Sequence, residues 1–495
     1  MTAAALIKPG SVSRLRVLGR EAVVGTGLLG LAVVLRFWAI GGRPGFEWDE
    51  PVYTNVGRHI SELGTIQLTQ PVGAFAQPYL FHPPFYFLLL GLWFRISGAG
   101  IAHARELAAG ASIVVLGLLW GLLREQIGWR ALVPVALVAT DGWMIYENRV
   151  GWIENTMLVL GVAAVWTYAR AVRSKSTRLY LVAGTLLGLT GIIKHVGLYL
   201  VGAVLVHWLV TRGSRRQHLA LLGAVATVCI GYVVVMTLVY QDANGNWFLH
   251  DSTVQFERTL GHHERRGTVS SLSNVIGPIF DQYRIFYSTL AVFFAGVVLV
   301  GYRVVQAIAT RSLARIQRHA LLFSWAFASI LVFGSIKLRF PHYVLMLLIP
   351  LYAYLAEEAL EFARTSRRRW IVGAGVAVLL VANAVTYVQR FVSKNDNALG
   401  SAAAYVASNV PRSAIVVTEE PIGVLIPQRY CKLSETASCG RAARYVVLYR
   451  SHTQQPPTNA SLEHKMAGAR VLATFVGFKE QITIYRVRAL GKGGT

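Results

Sequence analysis

The sequence predicts a mainly helical membrane protein with many spans and a small α/β domain at its C-terminal end. Three observations lead to this fold class. Hydrophobic residues make up 54% of the chain and charged residues only 15%, whereas soluble globular proteins contain about 25% charged residues. Apolar runs long enough to cross a bilayer recur between residues 22 and 390. Beyond residue 390 the pattern changes to short segments rich in Val, Ile and Tyr, which are typical of strands.

The charge balance favours a membrane location over nucleic-acid binding. The chain has 48 Lys and Arg against 24 Asp and Glu, a formal net charge of +24. The basic residues cluster in short loops between apolar runs, which is the placement that orients membrane helices. We therefore expect a multi-pass protein of the cell membrane, in contact with lipids and without a nucleic-acid partner. The composition also excludes disordered, collagen-like and disulfide-scaffold classes.

A helix needs about 20 apolar residues to cross the bilayer core. The runs of suitable length are 22–41, 102–123, 131–147, 155–172, 180–211, 218–240, 286–309, 320–336, 342–360 and 371–390. The run 180–211 has double length, so it is predicted to cross, turn near Lys194 and return. The sequence thus predicts about eleven spans.

Basic loops assign the two faces of the membrane. Arg14, Arg16 and Arg20 precede the first run, so the N-terminus is expected in the cytoplasm. The basic connection that follows residue 123 is also expected in the cytoplasm, so only one crossing fits between residues 42 and 124. We assign it to 102–123 and predict that 84–97, which is short and aromatic, lies in the outer interface.

The tail is expected outside the membrane, so the predicted domains are 1–390 (membrane) and 391–495 (extracytoplasmic α/β). Residues 398–409 are predicted to form a short helix. The predicted strands are SAIVVT, ARYVVLY, ARVLATF and QITIYRV. Cys229 lies in an apolar run, so any disulfide would have to join Cys431 to Cys439.

Charged residues at the outer surface are costly and are therefore candidates for function. Asp49 and Glu50 follow the first span, among Trp48, Pro51 and Tyr53. A partly apolar setting would raise the pKa of at least one of these carboxyls and make it a usable general base. The alternative is a simple helix cap.

Two further outer segments carry polar candidates. His82 precedes two prolines, which fix the direction of the chain, although packing or capping would also explain a single histidine. Glu147, Arg149 and Glu154 lie in a short connection and must point back at the protein or into headgroups. A structural salt bridge from Arg149 to either glutamate is the alternative for this segment.

The outer surface also carries cations, against the usual bias: Lys194 with His195, and Lys337 with Arg339. A cation at that depth is tolerable beside an anion, and phosphate is the common anion there. Snorkelling to the headgroups is the alternative, which we favour for Lys337. For Lys194 we expect a buried anionic partner.

The outer loop 241–285 contains His262, His263 and Glu264, together with His250, Asp251 and Asp281. A His-His-Glu run is compatible with a metal, but the remaining ligands cannot be assigned from the sequence. A divalent cation is therefore left open, and no other cofactor is expected. Walker, dinucleotide, HExxH and GxSxG motifs are absent from the sequence.

Five segments, in order, carry a family resemblance: DEPVYT, FHPPFYFLLLGLW, ENRVGWIEN, IKHVGLYL and RFPHYVLMLLIPLYAYLAEEA. Over residues 20–360 the chain resembles GT-C fold glycosyltransferases of the protein mannosyltransferase and aminoarabinose transferase type. The resemblance implies a polyprenyl-phosphate sugar donor and transfer to an acceptor hydroxyl on the extracytoplasmic side. The acceptor class (protein, lipid, glycan or small molecule) and the sugar stay open.

The resemblance implies roles for individual residues. Asp49 would be the catalytic base, with Glu50 beside it, and Glu154 would position acceptor or sugar. Lys194 and Arg339 would approach the donor phosphate. Residues also expected near the substrate are His82 and Arg149 at the phosphate, and Tyr53, Tyr343 and His262 in the cavity. His82 stands where the aminoarabinose branch has a lysine, which is a departure from that branch.

The predicted reaction is an inverting displacement at the anomeric carbon with polyprenyl phosphate as the leaving group. The alternative from another class is a lipid or solute transporter, also polytopic with buried charges. The sequence shows no internal repeat, and its polar residues gather at the outer side rather than at the midplane. Both features favour the transferase.

Overall fold

The computed structural model describes residues 9–72, 74, 78–242, 245–260, 286–335, 341–392, 397–433, 443–451, 466, 468–477 and 480–487. The helices of the first half are α1 Pro9–Phe37, α2 Glu50–Leu63, α3 Phe85–Ser97, α4 Ile101–Ile127, α5 Leu132–Thr140, α6 Gly142–Asn148, α7 Ile153–Ser174, α8 Thr177–Ile193, α9 Tyr199–Thr211, α10 Arg215–Val239 and α11 Trp247–Leu260. Those of the second half are α12 Tyr287–Thr310, α13 Ala314–Arg318, α14 Ala320–Ser335, α15 Val344–Phe362, α16 Ser366–Tyr387, α17 Ala398–Asn409 and α18 Glu420–Gly423.

The helices form a polytopic membrane bundle, as predicted. Within the described residues, four helical stretches are long and apolar enough to span a bilayer: Ile101–Thr140 (α4 with α5), Arg215–Val239, Tyr287–Thr310 and Ser366–Val392 (α16 with the turn after it). The bent pair α6 and α7 could make a fifth span, and several shorter apolar helices pack beside them. The count of about eleven spans stays a prediction.

One continuous apolar cluster joins the bundle, from α2 through α15. Helix α8 packs against both α7 and α10. A Cβ atom added at Gly184 would lie 2.3 Å from the carbonyl oxygen of Leu221. Glycine is therefore required there, because only a hydrogen lets the two backbones approach so closely, as is common between membrane helices.

The predicted run 131–147 is wrong as a single helix. The helix stops at Thr140, and Asp141 caps the next helix by accepting a hydrogen bond from the Met144 amide at 2.8 Å. Thr289 and Tyr352 also donate hydrogen bonds to Asp141. The carboxylate thus satisfies the free amides of a helix start inside the bundle, where water cannot.

The predicted turn near Lys194 in the run 180–211 is present as a break between two helices, whereas the crossing and return of this run through the membrane stay a prediction. Helix α8 ends at Ile193, Lys194 has extended backbone angles (φ −153°, ψ 127°), and a single 3-10 turn over His195–Leu198 leads into α9. The break brings the Lys194 side chain to the end of the bundle that carries the other site candidates.

The prediction of a helix at 84–97 is confirmed over Phe85–Ser97, a length of about 20 Å. It packs closely against α2, since Cβ atoms added at Gly57 and Gly91 would overlap Leu90 and Ile60. Its place in the outer interface stays a prediction.

The C-terminal region contains a five-stranded sheet in the order β4-β3-β5-β7-β6. The strands are β3 Ile415–Thr418, β4 Arg429–Lys432, β5 Ala443–Ser451, β6 Arg470–Val476 and β7 Glu480–Arg486; β1 and β2 are a two-residue pair, Gln241–Asp242 with Gly245–Asn246. Strand β3 pairs parallel with β4 and β5, whereas β7 pairs antiparallel with β5 and β6. All four predicted strands are present, and β4 was missed because RYCK lacks an apolar strand pattern.

Helix α17 covers one face of this sheet and buries a separate apolar cluster around Leu399, Val416 and Ile482. Its bounds match the predicted helix 398–409. Cys431 forms a disulfide and Cys229 is free, so Cys229 is excluded from disulfide pairing, as expected. The domain limits 1–390 and 391–495 stay a prediction.

Candidate active site

Asp49 lies between the first helix and α2, at the position of an N-cap. Within the described residues its side chain makes no capping hydrogen bond, and it is half-buried. Burial raises the pKa of the carboxyl, and the charges of Glu154 and Glu47 raise it further, against the opposing effect of His342 and Lys194. The alternative that Asp49 serves only as a helix cap therefore does not explain its side chain. Asp49 is kept as a candidate base.

Glu50 has a different environment from its neighbour. It is fully buried, and Arg105 donates to both of its oxygens, at 2.6 and 2.7 Å. The Gly151 amide donates to the same carboxylate at 2.9 Å. Glu50 thus joins α2 to α4 and to the turn before α7. This geometry gives Glu50 a structural role, and its predicted catalytic role stays a prediction.

Arg105 was missed by the sequence analysis. Besides Glu50, its guanidinium donates to the carbonyls of Ile40, Pro44 and Gly45 at 2.8–3.0 Å. These carbonyls belong to the segment that leads to Asp49. Arg105 therefore anchors the backbone just before the candidate base.

Lys194 and Glu154 form an ion pair in which the lysine is 6% and the glutamate 0% exposed. The expected buried anionic partner of Lys194 is thus a carboxylate of the protein itself. His342, which the sequence analysis did not select, is 3.1 Å from the same glutamate oxygen. In addition, the ammonium lies 5.1 Å from the ring centre of Tyr343. The second oxygen of Glu154 is buried and has no hydrogen-bond partner among the described residues.

The base candidate and this cluster interact electrostatically. The charges of His342 and Lys194 lower the pKa of Asp49 and that of Glu154 raises it, so these side chains lie within electrostatic range of the aspartate. Trp152 packs between the two sides, with ring centres 4.5 Å from His342 and 6.3 Å from Tyr53. The side chains of Asp49 and Tyr343 are partly exposed, whereas the Glu154 side chain is fully buried.

His82 belongs to the same region through Tyr53. Its Nε2 atom is 2.9 Å from the Tyr53 hydroxyl. Burial, and then the charge of Lys194, hold the pKa of His82 well below its ordinary range. The imidazole is therefore neutral at neutral pH, and it can approach a phosphate only as a hydrogen-bond donor.

Arg149 lies away from the cluster. Its guanidinium donates to the backbone carbonyls of Leu35, Trp38 and Arg43 and stacks on Phe391 at 5.1 Å. None of the acceptors that the described residues provide is a carboxylate, so the alternative of a salt bridge to a glutamate is not found there. The guanidinium donates to the protein backbone, and its predicted contact with a phosphate stays a prediction.

Two predicted site residues, Arg339 and His262, lie outside the described residues, as do Lys337, His263, Glu264 and Asp281. Within the described ranges, no group of three or more His, Cys, Asp or Glu side chains could hold a metal ion. Glu47 is a further acidic side chain near the site. It accepts a hydrogen bond from the Tyr146 hydroxyl.

The fold and this polar cluster define a multi-pass membrane protein of the GT-C architecture. Residues 81–240 match the family model described as dolichyl-phosphate-mannose-protein mannosyltransferase. ArnT from Cupriavidus metallidurans bound to undecaprenyl phosphate is similar, with a TM-score of 0.60 at 13% identity over 95% of this chain and 99% of that one. Its apo state gives 0.60 at 13% identity over 93% and 97%.

The arabinofuranosyltransferase AftD from Mycobacteria has a TM-score of 0.50 at 13% identity, over 94% of this chain and 40% of AftD. No curated protein matches the chain by sequence. At these identities the solved structures show the fold alone, and the predicted GT-C fold is confirmed. The match to the mannosyltransferase family model adds support for a glycosyltransferase of that fold.

Proposed function

We propose that the chain transfers a sugar from a polyprenyl-phosphate donor to an acceptor hydroxyl at the extracytoplasmic face, with inversion at the anomeric carbon. One observation carries the proposal. A partly exposed carboxylate, Asp49, lies within electrostatic range of a buried Lys194–Glu154 ion pair at one end of an apolar bundle. ArnT, which has a similar fold, has been solved with undecaprenyl phosphate bound.

The cationic side suits the donor phosphate. Glu154 and Tyr343 hold the Lys194 ammonium in place, so it can meet a phosphate oxygen without a large loss of side-chain entropy. Neutral His82 adds a hydrogen bond, and Arg339 stays a candidate second cation. A phosphate leaving group needs no proton at neutral pH, so no general acid is required.

The acidic side suits the sugar and the acceptor. The second oxygen of Glu154 has no hydrogen-bond partner among the described residues, and we assign it as the acceptor for a sugar hydroxyl. Asp49, with its raised pKa, takes the proton from the acceptor hydroxyl as that oxygen attacks the anomeric carbon. Tyr343 is partly exposed and offers a face on which a sugar ring can pack, whereas Tyr53 is buried and supports this region through its hydrogen bond with His82.

Removal of the Lys194 charge is expected to weaken donor binding most. Lys194→Ala should raise the apparent donor KM by about ten- to a hundredfold, since hydrogen bonds to charged groups contribute about 1.5–3 kcal/mol. It should also lower the amount of polyprenyl-phosphate lipid that copurifies in detergent, measured by mass spectrometry. Arg178→Ala, which removes an exposed cation from α8, the helix that ends just before Lys194, is the matched control.

An unchanged donor KM in Lys194→Ala would show that the ammonium serves the fold alone. The absence of any polyprenyl-phosphate lipid from the wild-type preparation, together with no turnover on such donors, would contradict the donor class itself.

The proposed topology places α2 outside and the connection before α8 in the cytoplasm. The disulfide at Cys431 supports an oxidising compartment for the C-terminal domain. With Cys229 replaced by Ala, cysteines at the exposed positions Arg58 and Arg178 should react with an impermeant maleimide from opposite faces of intact cells. Labelling of both from one face would overturn this topology.

A further inference from the structure

The C-terminal domain contacts the segment that leads into Asp49. The Asn397 side-chain oxygen accepts a hydrogen bond from the Phe46 amide at 3.1 Å. Phe46 itself packs against the apolar cluster under α17. Two residues further on, the Trp48 ring lies 4.1 Å from the ring of Tyr449 on β5. The three residues before Asp49 thus contain two direct attachments to the domain.

The same domain also forms hydrogen bonds with the chain beyond α2. The Tyr430 hydroxyl donates to the Thr69 carbonyl at 2.9 Å, and the Val72 amide donates to the Tyr430 carbonyl at 2.8 Å. Thr69 is fixed to α2 in turn, because its amide donates to the Asn55 side chain at 2.8 Å. The domain therefore holds both flanks of the helix that begins after Asp49.

The donor side of the site is built differently. The described ion pair and ring contacts of Lys194 involve Glu154 and Tyr343, which belong to the membrane bundle. His342 and Trp152, which pack beside them, come from the bundle as well. Among the described residues, the domain therefore contacts the segment before Asp49 and not the Lys194 side chain.

We infer that the C-terminal domain positions Asp49, with Tyr449 and Asn397 as positioning residues that act through the 46–48 segment. The inference rests on the proposed function for the role of Asp49. A displacement of about 1 Å of a catalytic group can cost about a hundredfold in rate. Loosening this segment should consequently lower kcat while leaving the donor affinity set by the bundle.

Paired variants test the inference in the full-length protein. Tyr449→Ala and Asn397→Ala should each lower kcat by about tenfold or more, with the donor KM within about twofold of wild type. Tyr449→Phe keeps the ring and Asn397→Asp keeps the acceptor oxygen, so both should restore kcat. Tyr405→Ala removes a ring that packs on Phe475 elsewhere in the same domain, and it controls for a general loss of domain stability.

Hydrogen exchange gives a readout that does not depend on turnover. Amides of residues 46–53 should exchange faster in Tyr449→Ala and Asn397→Ala than in Tyr405→Ala. Unchanged exchange, unchanged kcat, or an equal loss in the Tyr405 control would each overturn the inference. Full activity of Asp49→Asn in the same assay would instead reject Asp49 as the base, while the exchange data would still decide whether the domain holds the segment.

Discussion

Asp49→Asn is expected to lower kcat by about a hundred- to ten-thousandfold, the range over which a general base contributes. The amide has the size of the carboxyl but cannot take the acceptor proton. Since the Asp49 side chain makes no capping hydrogen bond within the described residues, the substitution should leave the free energy of unfolding nearly unchanged. Initial rates with a defined donor, together with unfolding in detergent, measure both quantities.

The matched control is Glu62→Gln, which removes an exposed carboxylate from the same helix. It should retain full turnover. A variant Asp49→Asn that turns over at the wild-type rate would reject the base assignment, and a variant that is inactive because it unfolds would reject the reason given for it.

The pH profile supplies a second check of the same residue. Because the pKa of Asp49 is raised, the base is ionised above that pKa, and kcat/KM should fall as the pH drops through it. The acid limb should therefore lie above the value of about 3.9 for a free aspartic acid. Asp49→Asn should lose this limb from whatever residual activity it has.

The helices and the turn at Lys194 could be predicted from the sequence because both depend on the local residue pattern. A bilayer core needs long apolar runs, so the break at Lys194 within one such run marked a turn. The strands of the tail were likewise visible from their Val, Ile and Tyr content. Composition over a short window was sufficient for these elements.

The roles of residues whose partners lie far away in the sequence could not be predicted in this way. Glu50 and Asp49 are adjacent and chemically alike, but only Glu50 meets an arginine 55 positions away. Nothing in the local spacing distinguishes the two. The role of Asp141 could not be predicted for a related reason. It caps a helix inside the bundle, where hydrogen bonds from Thr289 and Tyr352 on other helices lower the cost of burying its carboxylate.

Arg149 shows the converse case. Its position beside two glutamates suggested a salt bridge or a phosphate contact, but its guanidinium donates to the carbonyls of Leu35 in the last turn of α1 and of Arg43 just beyond it. An arginine has five N–H donors in a fixed fork, which makes it suited to several backbone acceptors at once. Charge alone therefore does not indicate whether a buried arginine faces a ligand.

Arg105→Met is expected to lower the free energy of unfolding by about 3–5 kcal/mol, the cost of removing one partner from a buried ion pair. Both side chains of the pair are 0% exposed, so the remaining Glu50 carboxylate would be left without water or a counter-charge. The carbonyls of Pro44 and Gly45 would lose their donor as well. Chemical unfolding in detergent measures the change.

Arg105→Met combined with Glu50→Gln should recover part of that loss, because no uncompensated charge then remains in the interior. Arg318→Met is the matched control: Arg318 pairs with Glu361, and their side chains are 51% and 21% exposed, so its loss should cost less than about 1 kcal/mol. Equal costs for Arg105→Met and Arg318→Met would contradict the anchoring role of Arg105. If the double variant is as unstable as Arg105→Met alone, the loss in the free energy of unfolding comes from the backbone carbonyls without a donor and not from the unpaired Glu50 carboxylate.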